Sequence, residues 1–433
     1  MNCRLRRALR WLAPGMRIKR WSLLVLASTS VLAFAVLESI GKERIVPLYR
    51  LLPRDGAARH AILAGLAVAG MAGFSLGLSR LVRSVARGVA PGRGEKPGDL
   101  IYRTRILEKG PRVVALGGGT GLSTLLRGLK EVTSNLTAVV AVMDDGGSSG
   151  RLRVGLDVLP PGDVRNCILA LAEDEQRMER LLQHRFRGTG ELSGHSLGNL
   201  LLVGMEQATG GFDRAIEEMS HILNVRGRVL PATLTKTNLV AQFEDGERMT
   251  GESRIGADPR RIVKIELSPA RAEPYAPVLE AIERADLLLL GPGSLFTSLV
   301  PNLLVEGIAE AIAAAAAEKV LIANLMTEPG ETDGFTLCDH LRTLNGYVPL
   351  RCFDTVIVNS ALPAAEILES YRREGAEPVR DDLGEENEFG VRAVRADLLG
   401  TARLLGKTTA KHEPAKLARV IAHATRAFAR GPL

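Results

Sequence analysis

Aromatic residues make up only 4% of this 433-residue chain, and cysteine is scarcer still, with Cys3, Cys167, Cys338 and Cys352 far apart. Cysteines so scattered supply neither a disulfide framework nor paired metal ligands, and they suit a reduced cytosolic domain. Neither of the glycine-rich turns carries the lysine of a P-loop. The serine of Gly194-His195-Ser196-Leu197-Gly198-Asn199 is not flanked in the G-x-S-x-G manner, and no acid and histidine follow it as a hydrolase triad requires. No internal repeat is visible. The formal charge of +7 invites a nucleic-acid reading, but its distribution excludes one. Residues 1–98 hold 17 basic against 4 acidic side chains, so the rest holds 39 against 45, a net −6. A mildly acidic body with few aromatics has no basic stripe for a phosphate backbone, and nucleic acid is not an expected partner.

Two apolar stretches, Trp21 to Leu37 and Ala61 to Ser79, contain no Asp, Glu, Lys or Arg and are each about the length that crosses a hydrocarbon core. They read as a membrane hairpin through residues 21–79, with a cleaved signal peptide and a buried core helix as the alternatives. The leader (Arg4 to Arg20) and the segment after the second stretch (Arg80 to Lys96) are both basic, which predicts both ends in the cytoplasm of an inner-membrane protein. The Gly- and Pro-containing run 90–98 reads as a linker. The expected domains are therefore 1–98, hairpin and linker, and 99–433, an α/β body.

In that body Val113-Val114-Ala115-Leu116 is short, β-branched and followed by Gly117-Gly118-Gly119-Thr120-Gly121, after which Leu122, Leu125, Leu126 and Leu129 recur at helical spacing. Strand, glycine loop and helix in that order can cradle a phosphate, because glycines admit close approach and the first helical amides are unpaired. A tight strand-to-helix turn without a ligand is the competing reading. A second strand ends at Asp144-Asp145, where a doubly wound fold places a ribose- or metal-facing carboxylate. The logic repeats at Gly291-Pro292-Gly293-Ser294-Leu295-Phe296-Thr297-Ser298, whose hydroxyls suit phosphate oxygens, and again at Asn324 to Asp333. Ser196 reads as a helix cap with Asn199 facing the site, and His195 as either a structural group or a ligand contact.

Strand patterns at Arg112 to Leu116, Leu136 to Met143, Asp286 to Leu290, Val320 to Leu325 and Thr355 to Asn359 alternate with helical patterns, among them Asn302 to Ala317 and Phe335 to Leu344. This alternation predicts a Rossmann-like, doubly wound, mostly parallel sheet. An insertion at about 163–270, helical and then β with a turn at Glu244-Asp245-Gly246-Glu247, is expected over the strand ends.

At Gly117 to Gly121, Asp144 to Arg153, Pro160 to Asn166, Gly194 to Asn199, Gly291 to Asn302 and Asn324 to Asp333 the chain resembles 2-phospho-L-lactate transferase of deazaflavin coenzyme biosynthesis and its bacterial relatives, the gluconeogenesis factors that bind UDP-N-acetylglucosamine. The Asp144 to Asn166 region and the Asn324 tract resemble the second branch more. That branch implies a regulator more than a catalyst, one that binds UDP-N-acetylglucosamine and adjusts carbon flow between gluconeogenesis and envelope precursors, with effects on cell shape; the membrane hairpin is an addition to the family's short soluble form and suggests tethering. It also suggests an amino-sugar synthesis enzyme as partner and a homo-oligomer, with no required cofactor. The alternative, a metal-dependent phospholactate-type transferase acting on a deazaflavin, implies Asp144 and Asp145 as catalytic Mg²⁺ ligands. A lipid-linked sugar or phosphate transferase at the membrane face is a third reading. The ligand-binding candidates are Gly117, Gly118, Gly119, Thr120, Gly121, Asp144, Asp145, Ser148, Ser149, Asp163, Asn166, His195, Asn199, Gly291, Gly293, Ser294, Phe296, Thr297, Asn302, Asn324 and Thr327. Relatives can carry tyrosine where Phe296 stands, and this chain lacks that hydroxyl.

Overall fold

The computed structural model describes residues 18–39, 56–89, 107–404 and 407–429. The predicted linker at 90–98 and most of the basic leader lie outside the described residues. The chain divides into two compact units, Met1–Thr104 and Arg105–Leu433.

In the first unit, helices α1 (Ile18–Ser39) and α2 (Gly56–Val89) pack on each other. A Cβ on Gly73 would lie 2.5 Å from Ser28 Oγ, so the missing side chain is what lets the two helices close. The apolar stretches expected as a pair of spans fall on these two helices. Among the described residues of this unit, only His60–Val82 is long and apolar enough to cross a membrane, whereas Trp21–Ala35 is a shorter apolar helix.

The second unit is built on a parallel sheet of seven strands in the order β10-β9-β8-β7-β1-β2-β3. These strands are β1 (Val113–Gly117), β2 (Leu136–Val140), β3 (Arg228–Pro231), β7 (Leu287–Leu290), β8 (Glu318–Ile322), β9 (Thr355–Asn359) and β10 (Arg392–Ala396). Val113 pairs with both Leu136 and Leu287, so β1 is flanked on each side. The inner strands β1, β7 and β8 are buried along their whole length, as a parallel sheet covered on both faces requires, which is why they read as unbroken apolar runs. A smaller antiparallel sheet contains β4 (Asn238–Phe243), β5 (Arg248–Thr250) and β6 (Ile262–Ser268). The predicted turn joins its first two strands, with Gly246 N–H donating to the Phe243 carbonyl. A hairpin of β11 (Leu399–Leu404) and β12 (Lys407–His412) completes the β structure.

The helices that matter for the site are α3 (Gly119–Leu129), α4 (Gly147–Leu156), α5 (Gly162–Leu171), α6 (Glu175–Leu182), α7 (Leu197–Thr209), α8 (Phe212–Ile222) and α9 (Glu252–Ile255). Residues 141–227 are thus the long helical crossover from β2 to β3, and the small sheet with α9 is the separate element. The helix expected over Asn302 to Ala317 is broken: a π-turn at Leu295–Leu299 runs into Val300–Leu303, and a second helix starts only at Ile308. Gly307, at φ +79°, makes the break, a conformation L side chains avoid. The edge strands β3 and β10 and the β11–β12 hairpin were not legible. Arg392-Ala-Val-Arg-Ala is half-exposed and carries charge, and β3 ends in proline.

Candidate functional site

The strand order reverses between β1 and β7. From β1 the chain proceeds outward through β2 and β3, and from β7 it proceeds the other way through β8, β9 and β10. Loops leaving the carboxyl ends of two such strands part in opposite directions and open a crevice between them. Here those loops are Gly118–Gly121 and Gly291–Ser294, and they touch: a Cβ on Gly121 would lie 2.3 Å from the Pro292 carbonyl oxygen. Glycine at 121 is therefore a packing requirement.

The crevice is a cavity of about 550 Å³. Of the candidate residues, Gly118, Gly119, Thr120, Gly121, Asp144, Asp163, Gly293, Ser294, Asn324 and Thr327 line it. Asn166 lines a neighbouring cavity instead. The others line neither cavity. Gly117 and Gly291 end and follow buried strands. Asp145 accepts from the Ser253 N–H at 2.8 Å, which anchors the start of α9. Ser148 contacts His195 Nδ1 at 3.0 Å and accepts from Asn199 Nδ2 at 3.1 Å, while Ser149 donates to Asp144. Phe296 is fully buried and meets Phe335 edge-on. Asn302 donates to the Gly117 and Ser298 carbonyls, and Thr297 donates to Glu331 Oε1 at 3.0 Å. Asn302 thereby ties the helix after the Gly291–Ser294 loop to the end of β1 at Gly117.

The cavity wall is acidic. Asp163 Oδ2 accepts from the Gly119 N–H at 2.6 Å, so one amide at the start of α3 is already satisfied by a carboxylate. Burial, then the charge of Asp144, pushes the Asp163 carboxyl up to about 6. Asp144 accepts from the Gly146 N–H at 2.7 Å and is also raised, chiefly by burial. Glu252, carried in by α9, is pushed up to about 9 by burial and by repulsion from Asp144 and Asp163. On the other loop, Asn324 Oδ1 accepts from the Gly293 N–H at 3.3 Å, and Ser294 donates to Glu328. Behind it Glu331 is raised to about 8, first by burial and then by the charge of Glu328. No group of three or more His, Cys, Asp or Glu among the described residues converges as metal ligands.

Sequence reasoning missed Glu252, Tyr371, Glu374, Lys411 and His412, all of which line the cavity. None stands beside a glycine turn after a parallel strand, which was the only positional signal in use. Arg165 was also passed over, although it falls inside the Pro160 to Asn166 motif. It is buried, with Nη1 donating to Ser196 Oγ at 2.5 Å and to Asn199 Oδ1 at 2.6 Å.

Fold and crevice together define a Rossmann-like α/β protein with its crevice at the topological switch point. The sequence pattern of the family "2-phospho-L-lactate transferase CofD" matches residues 113–399. The gluconeogenesis factor of Bacillus subtilis (strain 168) is 47% identical over 289 residues, covering 67% of this chain and 91% of its own. A relative from Nostoc sp. (strain PCC 7120) is 41% identical over 427 residues, covering 95% of this chain and 91% of its own. The crystal structure of a UPF0052-family protein from Bacillus halodurans superposes with a TM-score of 0.68 at 46% identity, over 72% of this chain and 99% of that one. The chain belongs to the CofD-like family and, within it, to the gluconeogenesis factors.

Proposed function

We propose that the protein is a membrane-tethered, cytoplasm-facing regulator that binds UDP-N-acetylglucosamine and adjusts carbon flow between gluconeogenesis and cell-envelope precursors, and with it cell shape. The observation that carries this reading is the switch-point crevice, where two glycine loops meet over about 550 Å³ in a chain of the gluconeogenesis-factor family. That volume is in the range of small-ligand sites. The diphosphate meets the amides of Thr120 and Gly121 at the start of α3, facing the Gly293–Ser294 loop across the cleft. The sugar and base occupy the polar wall formed by Asn324, Thr327 and Tyr371.

An anion entering this crevice faces Asp144 and Asp163. Two things relieve the repulsion: a proton held by Asp163, or a divalent cation. Asp144 and Asp163 with ligand phosphates are a donor set into which Mg²⁺ fits, since that ion prefers one or two carboxylates completed by phosphate and water. Bound there, it would neutralise the diphosphate. Asp145, engaged with α9, is not in that set.

Calorimetric titration of the detergent-solubilised full chain tests the reading, with UDP-N-acetylglucosamine in one arm and a guanine nucleotide plus Mg²⁺ in the other. Selective binding of the uridine sugar without its consumption is expected. Preference for the guanine nucleotide, with turnover of a deazaflavin substrate, would replace the regulator by a transferase. In the cell, deletion is expected to impair growth or shape on gluconeogenic carbon sources, with relief by supplied amino sugar.

A further inference from the structure

A second cavity, of about 850 Å³, lies beside the crevice and shares Thr120, Thr124, Tyr371 and Lys411 with it. Its chemistry is the opposite. The crevice is walled by five carboxylates, Asp144, Asp163, Glu252, Glu328 and Glu374. The second cavity is walled by Arg127, Arg165, Arg185 and Lys411 against one, Glu179.

Of these cations Arg127 is already neutralised by Glu175. Arg165, Arg185 and Lys411 make no ion pair within hydrogen-bonding reach among the described residues. Arg185 Nη1 donates to the Gly194 carbonyl at 2.8 Å, a neutral acceptor. Arg165 is 7% exposed, and its Nε is buried without an acceptor while its other nitrogens hold Ser196, Asn199 and Asn166. Burial, then the charge of Arg185, pushes the Arg165 guanidinium down to about 10. Arg185 is exposed and Lys411 half-buried, so water solvates their charges in the free protein, and an anion in the cavity would exchange that water for charge-assisted contacts to unpaired cations beside the buried Arg165.

We propose that this cavity is a second ligand site, taking a phosphorylated small molecule of sugar-phosphate size, with Arg165, Arg185 and Lys411 gripping the phosphate. Three cations from three separate elements, α5, the segment after α6 and β12, surround a group; they do not present one flat fork. That arrangement suits a dianionic, three-oxygen phosphate better than a planar carboxylate. The volume leaves room for a sugar-sized body beyond the phosphate. Because Lys411 stands on both walls, occupation of one cavity alters the other's affinity, which would make the protein a reader of two metabolites. The Pro160 to Asn166 motif thereby splits between sites, with Asp163 in one and Asn166 in the other.

The test is titration of the full-length protein in detergent with glucose 6-phosphate, followed by phosphorus NMR, with and without saturating UDP-N-acetylglucosamine. Binding to the free protein is expected, weakened about tenfold in Lys411→Ala and in Arg185→Gln, the loss of one charge-assisted contact each. Binding is also expected to persist, with altered affinity, when the nucleotide sugar is present. Absence of binding, equal affinity in both variants, or one-for-one competition with the nucleotide sugar would overturn the proposal, the last by making the two cavities one site. Arg185 lines only the second cavity, so the Arg185→Gln arm without nucleotide sugar reads that cavity whether or not the crevice takes the nucleotide sugar, whereas Lys411→Ala reports on the wall the two share.

Discussion

At the scale of single residues, the site depends on two glycines for different reasons. Gly119 sits at φ +56° with nothing nearer to its Cβ direction than the Asp163 carboxylate at 3.8 Å. Gly119→Asp would set a second carboxylate beside Asp163 where the diphosphate approaches, and loss of nucleotide-sugar binding with an unchanged circular dichroism spectrum is expected. Gly121→Ala instead drives a methyl into the Pro292 carbonyl and must part the two loops. A loss of roughly 1–3 kcal/mol in chemical denaturation is expected, together with weaker binding. Protonation is the other residue-scale control. An acid whose pKa is higher folded than unfolded makes the folded state the tighter proton binder, so its stabilising effect is full at low pH and is lost as pH rises through the folded value. For Asp163 that window runs from 3.8 to about 6, and for Glu331 and Glu252 it extends from 4.5 to about 8 and about 9. Melting temperature should therefore fall across these windows on account of this cluster, and Asp163→Asn should flatten the lower part. Without divalent cations, nucleotide-sugar affinity should rise as pH drops through about 6; an affinity independent of pH there would mean that Asp163 does not face the diphosphate.

At the scale of elements, short polar devices fix where helices begin. Thr336 caps the helix Leu337–Asn345 in a reciprocal capping box with Asp339, each side chain bonding the other's backbone N–H. Thr336→Ala is expected to cost about 1 kcal/mol by denaturation and to leave ligand affinity untouched, because the residue lines neither cavity. Asp163 performs the comparable service for α3 from another helix, and that long-range cap was invisible in sequence. Legibility followed this division. The strands at Val113, Leu136, Leu287 and Thr355 were readable because a buried parallel strand is an apolar run bounded by turn residues. The edge strand β10 and the hairpin β11–β12 were not, because edge strands are mixed in polarity and take their pairing from neighbours distant in the chain.

At the scale of the whole molecule, the chain holds two compact units. The similarity to the UPF0052-family structure covers 99% of that shorter protein, so the α/β unit forms in a relative without the α1–α2 unit. A chain lacking residues 1–97 is expected in the soluble fraction and the full chain in the membrane fraction. Recovery of the truncated chain with membranes would move the anchor elsewhere.

The amino-acid sequence by itself determined the parallel α/β order and the two glycine turns that open the crevice, since each depends on residues within one strand–loop–helix segment. The tertiary structure alone decided which polar groups line the crevice. Asp144 and Asp145 are adjacent and chemically alike, yet the first lines the cavity and the second holds α9. Lys411 and Thr120, far apart in the chain, stand on the same walls. Local pattern cannot carry such information, because a side chain's destination is set by the packing of elements that meet only in the folded chain.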